Sequence, residues 1–166
     1  MEMQKAAFAA GCFWGIELEF QQLPGVVSTA VGYMGGWTKD PTYEAVCTGE
    51  TGHAETVLVE FDPNKISYPA LLRVFWKNHN PTTLNKQGPD IGTQYRSAIF
   101  CDSPAQLAAA MDSKEALENA KLYRSPIVTQ VIDAQNMMFY KAEDYHQNYF
   151  NKQGIRHCKL DNGLND

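Results

Sequence analysis

Apolar residues fall in short blocks separated by turn-forming residues, and the spacing inside each block predicts an element. Residues 5–10, apolar after Lys5, have the length of one short buried strand. Over residues 13–22, Ile16, Leu18 and Phe20 with Glu17 and Glu19 suit a helix. Leu23-Pro24-Gly25 stops it, because proline cannot continue the hydrogen-bond ladder and glycine permits the exit. Residues 26–33 are rich in β-branched side chains and predict a strand. Val57, Val59 and Phe61 alternate with Thr56, Leu58 and Glu60, so residues 55–61 predict another, turned by Asp62-Pro63-Asn64. Ser67 suits the N-cap of a helix whose apolar stripe is Leu71, Leu72, Phe75 and Trp76. Residues 97–101 predict a strand. Ser103-Pro104 opens a helix running to about residue 122. A strand over 127–132, a short helix over 141–150 and a polar tail complete the chain.

From residue 5 to residue 101 the order is β-α-β-β-α-β, the split βαβ pattern. The fold expected is α+β: a two-layer α/β sandwich with a ferredoxin-like βαββαβ core, an added C-terminal helix and strand, and an irregular tail. Two segments, 35–52 and 79–96, have neither period and are long for connections; long ordered loops in compact proteins are often functional. No internal repeat or low-complexity segment is present.

The chain has 166 residues, 44% apolar and 20% charged, which suits one globular domain over 1–166 and excludes general disorder. A net charge of -5 with no basic run argues against nucleic acid and against an anionic membrane surface as partners. No run of 18 apolar residues predicts a transmembrane helix, and the apolar N-terminal stretch is short for a secretory signal. A cytoplasmic monomer is the expectation. The four cysteines, Cys12, Cys47, Cys101 and Cys158, form no C-x-x-C pair, which gives a zinc site or a thioredoxin-type motif little support. An even count is compatible with two disulfides, but a reducing compartment favours catalytic or redox thiols.

Cys12 sits where a strand becomes a helix, in "AAGCFWGIE". Unpaired N–H groups at a helix start stabilise a thiolate, so this cysteine is either a packed corner residue or a nucleophile. Phe13 and Trp14 point about 100° apart on a helix, and both cannot face one core. Beside a thiol, two aromatics suit a methyl group or a sulfur. In "PTYEAVCTGETGHAE", His53 and Glu55 share a face of an extended chain. Glu55 is either a solvated strand-end carboxylate or a general acid raised by burial. In "GPDIGTQYRS", Tyr95 is either a hydrogen-bond donor or a rim aromatic.

Taken together, "GCFWG", "GYMGG", "PTYEAVCTGETGHAE", "PDIGTQYRS" and "AEDYHQNYF" resemble the A-type peptide-methionine sulfoxide reductases over residues 5–158, nearly the whole chain. The resemblance implies thiol-based reduction of methionine S-sulfoxide, free or in proteins, with no metal and no other cofactor. It implies Cys12 as nucleophile, which becomes a sulfenic acid. Phe13 and Trp14 match the walls that receive the substrate methyl, and Tyr43, Glu55 and Tyr95 match the groups around the sulfoxide oxygen, with Glu55 as proton donor. Asp90, His146 and Tyr149 match positions at the same pocket. Cys158, in a tail over 151–166, matches the resolving cysteine, and the disulfide it forms with Cys12 implies thioredoxin as reductant.

The chain departs from the family pattern in three places. Leu160 to Asp166 holds no second recycling cysteine. Cys101 stands where an aromatic is usual and is read as packing. Met34 replaces a smaller residue in "GYMGG". Two other readings remain from the residues alone: a thiol peroxidase, and a non-catalytic aromatic pocket for oxidised methionine.

Overall fold

The computed structural model describes residues 3–149. Strand β1 (Gln4–Ala10) leads through Gly11 into helix α1 (Phe13–Gln21), and β2 (Val26–Met34) follows. A short helix α2 (Tyr43–Cys47) precedes β3 (Ala54–Phe61), and α3 (Tyr68–Lys77) follows it. A small hairpin of β4 (Lys86–Gln87) and β5 (Asp90–Ile91) comes next, then a 3-10 turn (Thr93–Tyr95), β6 (Ser97–Cys101), α4 (Pro104–Asn119), β7 (Gln130–Asp133) and β8 (Tyr140–Lys141).

Six strands form one mixed sheet in the order β7-β6-β1-β3-β2-β8. Only the β6–β7 pair is parallel, joined by the crossover helix α4. β3 lies between β1 and β2 and runs antiparallel to both. β1 is therefore a central strand, and from Ala6 to Ala10 it is buried on both faces, which is why those residues read as an unbroken apolar run. Ala6, Phe8 and Ala10 face the helical layer; Ala7 and Ala9 face a smaller cluster with Met34, Phe100 and Ala134. Phe8 is the hub of the helical side. Its ring stacks on Phe20 of α1 at 5.0 Å and meets Phe75 of α3 at 5.4 Å. Fully burying one such side chain contributes about 1.5–3 kcal/mol.

Caps set the helix boundaries. Thr42, Ser67 and Ser103 each accept the backbone N–H three residues on, at 3.1–3.2 Å. Cys101 is buried in packing, its thiol 3.9 Å from the Tyr68 hydroxyl and pushed up to about 11 by burial.

Two of the sequence expectations need correction. No α-helix begins at Lys141: Tyr140 and Lys141 pair with Tyr33 and Gly32 of β2, and Asp144–His146 is a 3-10 turn. The reason is tertiary. The Gln147 side chain accepts from Val31 N–H and donates to Val31 and Ala142 carbonyls, all at 2.9 Å, which fixes the segment against β2. The strand expected over 127–132 runs from Gln130 to Asp133. Cys158 and residues 150–166 lie outside the described residues.

Candidate active site

The sheet's upper edge brings five chain segments together around Cys12. The first is the β1–α1 corner. Gly11 has φ +83°, a conformation open to glycine, and a Cβ there would lie 2.7 Å from the side chain of Gln87. The backbone thus turns sharply against the β4 hairpin. Cys12 is the N-cap of α1, extended and half-buried, and forms no disulfide with any described residue.

The second segment is the start of β3. Glu55 is 1% exposed, and its Oε1 accepts the Phe13 N–H, the first in α1, at 3.1 Å. Burial and the nearby Asp90 charge outweigh that bond and push its carboxyl up to about 8. At neutral pH Glu55 is mostly protonated. One oxygen holds the helix start, and its proton is left to donate elsewhere.

The loop between β2 and β3 supplies the third. Its neck is closed where Trp37 N–H donates to Thr51 O at 3.0 Å and Gly36 N–H donates to His53 Nδ1 at 2.9 Å. A Cβ on Gly36 would lie 2.3 Å from backbone atoms of Thr51 and His53, so the neck needs glycine. His53 Nε2 donates to Thr38 O at 2.7 Å, so both its nitrogens serve the loop. The neck carries α2 and with it Tyr43. The Tyr43 phenol is raised by burial, by a hydrogen bond with Cys47 and by the Glu55 charge, and stays protonated. From the β5 side come Asp90 and Tyr95. Asp90 is half-buried and raised by burial. Burial and the fields of Glu55, Cys47, Asp90 and Cys12 keep the Tyr95 phenol protonated. The phenols and the protonated carboxyl make a cluster of donors beside a thiol.

The fifth segment, residues 142–149, lies across α1 as a strap. Asn148 N–H donates to Glu17 Oε1 at 2.9 Å, and Glu17 Oε2 accepts the Thr29 hydroxyl at 2.9 Å. The strap brings His146 and Tyr149 to Trp14. The Trp14 indole donates to His146 Nδ1 at 2.9 Å, and its ring stacks on Tyr149 at 3.8 Å and 11°. Tyr43 stacks on the same indole at 6.5 Å. Trp14 is half-buried, whereas Phe13 is fully buried between Tyr33 and His146. Of the two aromatics, Trp14 is partly exposed, and Phe13 packs against the His146 ring that holds it.

The profile of the peptide methionine sulfoxide reductase family matches residues 4–165. The chain belongs to this family. The peptide methionine sulfoxide reductase MsrA of Methanosarcina acetivorans is 60% identical over 153 residues, 92% of this chain and 80% of that one. Among solved structures, the methionine sulfoxide reductase A of Corynebacterium diphtheriae has 37% identity and a TM-score of 0.81, covering 94% of this chain and 77% of its own. Mxr1 of Saccharomyces cerevisiae in reduced form has 34% identity and a TM-score of 0.83, covering 92% and 87%. Mxr1 has also been solved in complex with Trx2. There the likeness is 23% identity with a TM-score of 0.61, covering 89% and 85%, and concerns the fold alone.

This reductase is therefore an oxidoreductase that reduces methionine sulfoxide. Among its described residues no three histidines, cysteines or acids are grouped to hold a metal ion, and no helix is long and apolar enough to cross a membrane. Cys47 is exposed, at the end of α2 beside Tyr43. Two residues of the site were missed in the sequence. Glu143 accepts from Tyr43 N–H and Tyr33 Oη, each at 2.9 Å. Glu17 anchors the strap. Glu143 does stand inside "AEDYHQNYF", three residues before His146, but its partners are 100 and 110 residues away.

Proposed function

We propose that the reductase is an A-type enzyme that reduces the S epimer of methionine sulfoxide, with Cys12 as nucleophile and Glu55 as proton donor. The observation that carries the reading is Glu55: a carboxyl 1% exposed, pushed up to about 8, bonded to the N–H next to Cys12. A sulfoxide sulfur becomes electrophilic when its oxygen is protonated or hydrogen-bonded. A neutral carboxyl and two phenols, Tyr43 and Tyr95, can donate to that oxygen; ionised groups cannot. Trp14, backed by Phe13 through His146 and flanked by Tyr43 and Tyr149, seats the methyl group, and sulfur–aromatic contact favours this. His146 holds the indole, and burial, with a smaller contribution from Asp90, keeps Glu55 protonated.

In the first step the Cys12 thiolate attacks the sulfoxide sulfur while Glu55 protonates the oxygen. The oxygen ends on Cys12, so thiolate, proton and sulfoxide give a sulfenic acid and methionine. The Cys158 thiol then condenses with the sulfenic acid, releasing water and leaving a Cys12–Cys158 disulfide. Thioredoxin, a dithiol, reduces that disulfide and restores both thiols. Support for Cys158 comes from reach. Tyr149 lies on Trp14 at the site, and the nine residues on to Cys158 can span up to about 30 Å. Support for thioredoxin comes from the chemistry, since an intramolecular disulfide needs an external dithiol, and from Mxr1, 34% identical in its reduced form, which has also been solved with Trx2. We read the chain as one catalytic domain over 1–166 whose last residues, 151–166, carry this thiol, acting as a monomer in the cytoplasm.

The test is stereospecific turnover of N-acetyl methionine sulfoxide amide. The wild type reduces the S epimer, and Cys12→Ser reduces neither. Reduction of the R epimer alone, residual turnover in Cys12→Ser, or faster turnover of hydrogen peroxide overturns the assignment.

A further inference from the structure

We propose that Glu143 is a positioning residue, a single carboxylate that aligns both Trp14 and Tyr43 at the methyl seat; this rests on the reading of those rings as substrate walls. Two hydrogen-bond donors and a buried imidazole nitrogen converge on it. The Tyr33 hydroxyl donates to Oε1 and the Tyr43 backbone N–H donates to Oε2, both at 2.9 Å. His146 Nε2 lies 3.9 Å from Oε1. These three come from β2, from the first residue of α2 and from the strap.

The link to Tyr43 is direct. Its N–H is one of the four that a helix start leaves unpaired. The link to Trp14 passes through His146. That imidazole is fully buried and accepts the indole N–H at Nδ1, so in its neutral form the proton sits on Nε2. Nε2 is buried with no hydrogen-bond partner among the described residues, and Glu143 carries the negative charge that faces it. The charge favours a proton at Nε2, which leaves Nδ1 free to accept from Trp14. Rings of Tyr145, Tyr43, Phe13 and Trp14 surround the imidazole at 4.0–5.6 Å and hold it in this orientation.

Glu143→Gln separates this role from packing. The amide has the same shape, but it has no charge and only one oxygen for the two hydrogen-bond donors, and it turns an NH2 towards one of them. The assay is steady-state reduction of N-acetyl methionine S-sulfoxide amide with saturating reductant. We expect KM to rise about tenfold with kcat within about threefold, the scale of one charge-assisted hydrogen bond. In 15N spectra, wild-type His146 shows the proton on Nε2, and the variant departs from that pattern. An unchanged KM in a folded Glu143→Gln protein, or a proton on Nδ1 in the wild type, overturns the proposal. The wild-type spectrum decides even where the variant does not fold. Trp14→Ala separates the two levels. A KM unmoved by Trp14→Ala removes the methyl seat itself, whereas a raised KM there with none in Glu143→Gln removes only the role of Glu143.

Discussion

If Glu55 delivers the proton, the sulfoxide step must slow as that carboxyl ionises. Its rise from 4.5 to about 8 corresponds to about 5 kcal/mol in favour of the protonated form, at about 1.4 kcal/mol per pH unit. With a value of about 8, roughly nine-tenths of the enzyme carries the proton at pH 7 and about one-tenth at pH 9. A single-turnover reduction of the S-sulfoxide, quenched and read as methionine formed, should therefore lose about tenfold per pH unit above that value. Glu55→Ala should slow the step about a thousandfold, and Glu55→Gln by less because the amide still donates a hydrogen bond. Neither variant should show the descending limb. Asp90→Asn removes a neighbouring negative charge and should move the limb to lower pH. The same burial costs stability. The folded chain keeps a proton that the unfolded chain releases above pH 4.5, so this contribution weakens the fold between pH 4.5 and about 8. Glu55→Gln should accordingly stabilise the fold at pH 7, by up to about 3 kcal/mol in urea unfolding. A wild-type rate flat through pH 9.5, or the same limb in Glu55→Gln, would refute the assignment.

Two further predictions follow different residues. Cys158→Ser should give one rapid turnover and no thioredoxin-driven cycling; undiminished cycling would pass the resolving role to another thiol. His79 is fully enclosed at the end of α3, where it donates to Phe75 O and accepts from the Ser97 hydroxyl, each at 2.7 Å. Burial lowers it from 6.5 to about 4, so the unfolded chain takes up a proton first as pH falls. Stability should drop by about 3 kcal/mol between pH 6.5 and 4, and His79→Gln should flatten that drop in urea midpoints. A midpoint in the wild type independent of pH over this window would contradict the buried neutral imidazole.

What was legible in the chain follows from how local each signal is. β1, β2, β3, α1, α3 and α4 each carry their own periodicity or caps, and the caps at Ser67 and Ser103 stand where the sequence puts them. α2 is five residues long, too short for a helical period to register, and β4 and β5 are two residues each. Both hide inside segments that read as irregular. Residues 141–149 misled because their geometry is dictated by β2: Tyr140–Lys141 become an edge strand and Gln147 caps the Val31 backbone.

The site divides along the same line. Cys12, Glu55, Tyr43 and Tyr95 stand out in the sequence because each lies in a short motif at the edge of an element. That Glu55 bonds the N–H beside Cys12 depends on β3 lying next to β1, which no local pattern encodes. The strap is less legible still, because Trp14 and His146 are 132 residues apart and meet only once Glu17 and Gln147 have fastened the chain across α1. This has a mechanistic consequence. Glu17, on the helix that begins beside the nucleophile, also holds the segment from which the Cys158 tail departs. If Cys12, Trp14 and Cys158 act as proposed, the nucleophile, the methyl seat and the segment leading to the resolving thiol are tied to one nine-residue helix. A change that loosens the strap should therefore weaken substrate binding and slow disulfide formation together.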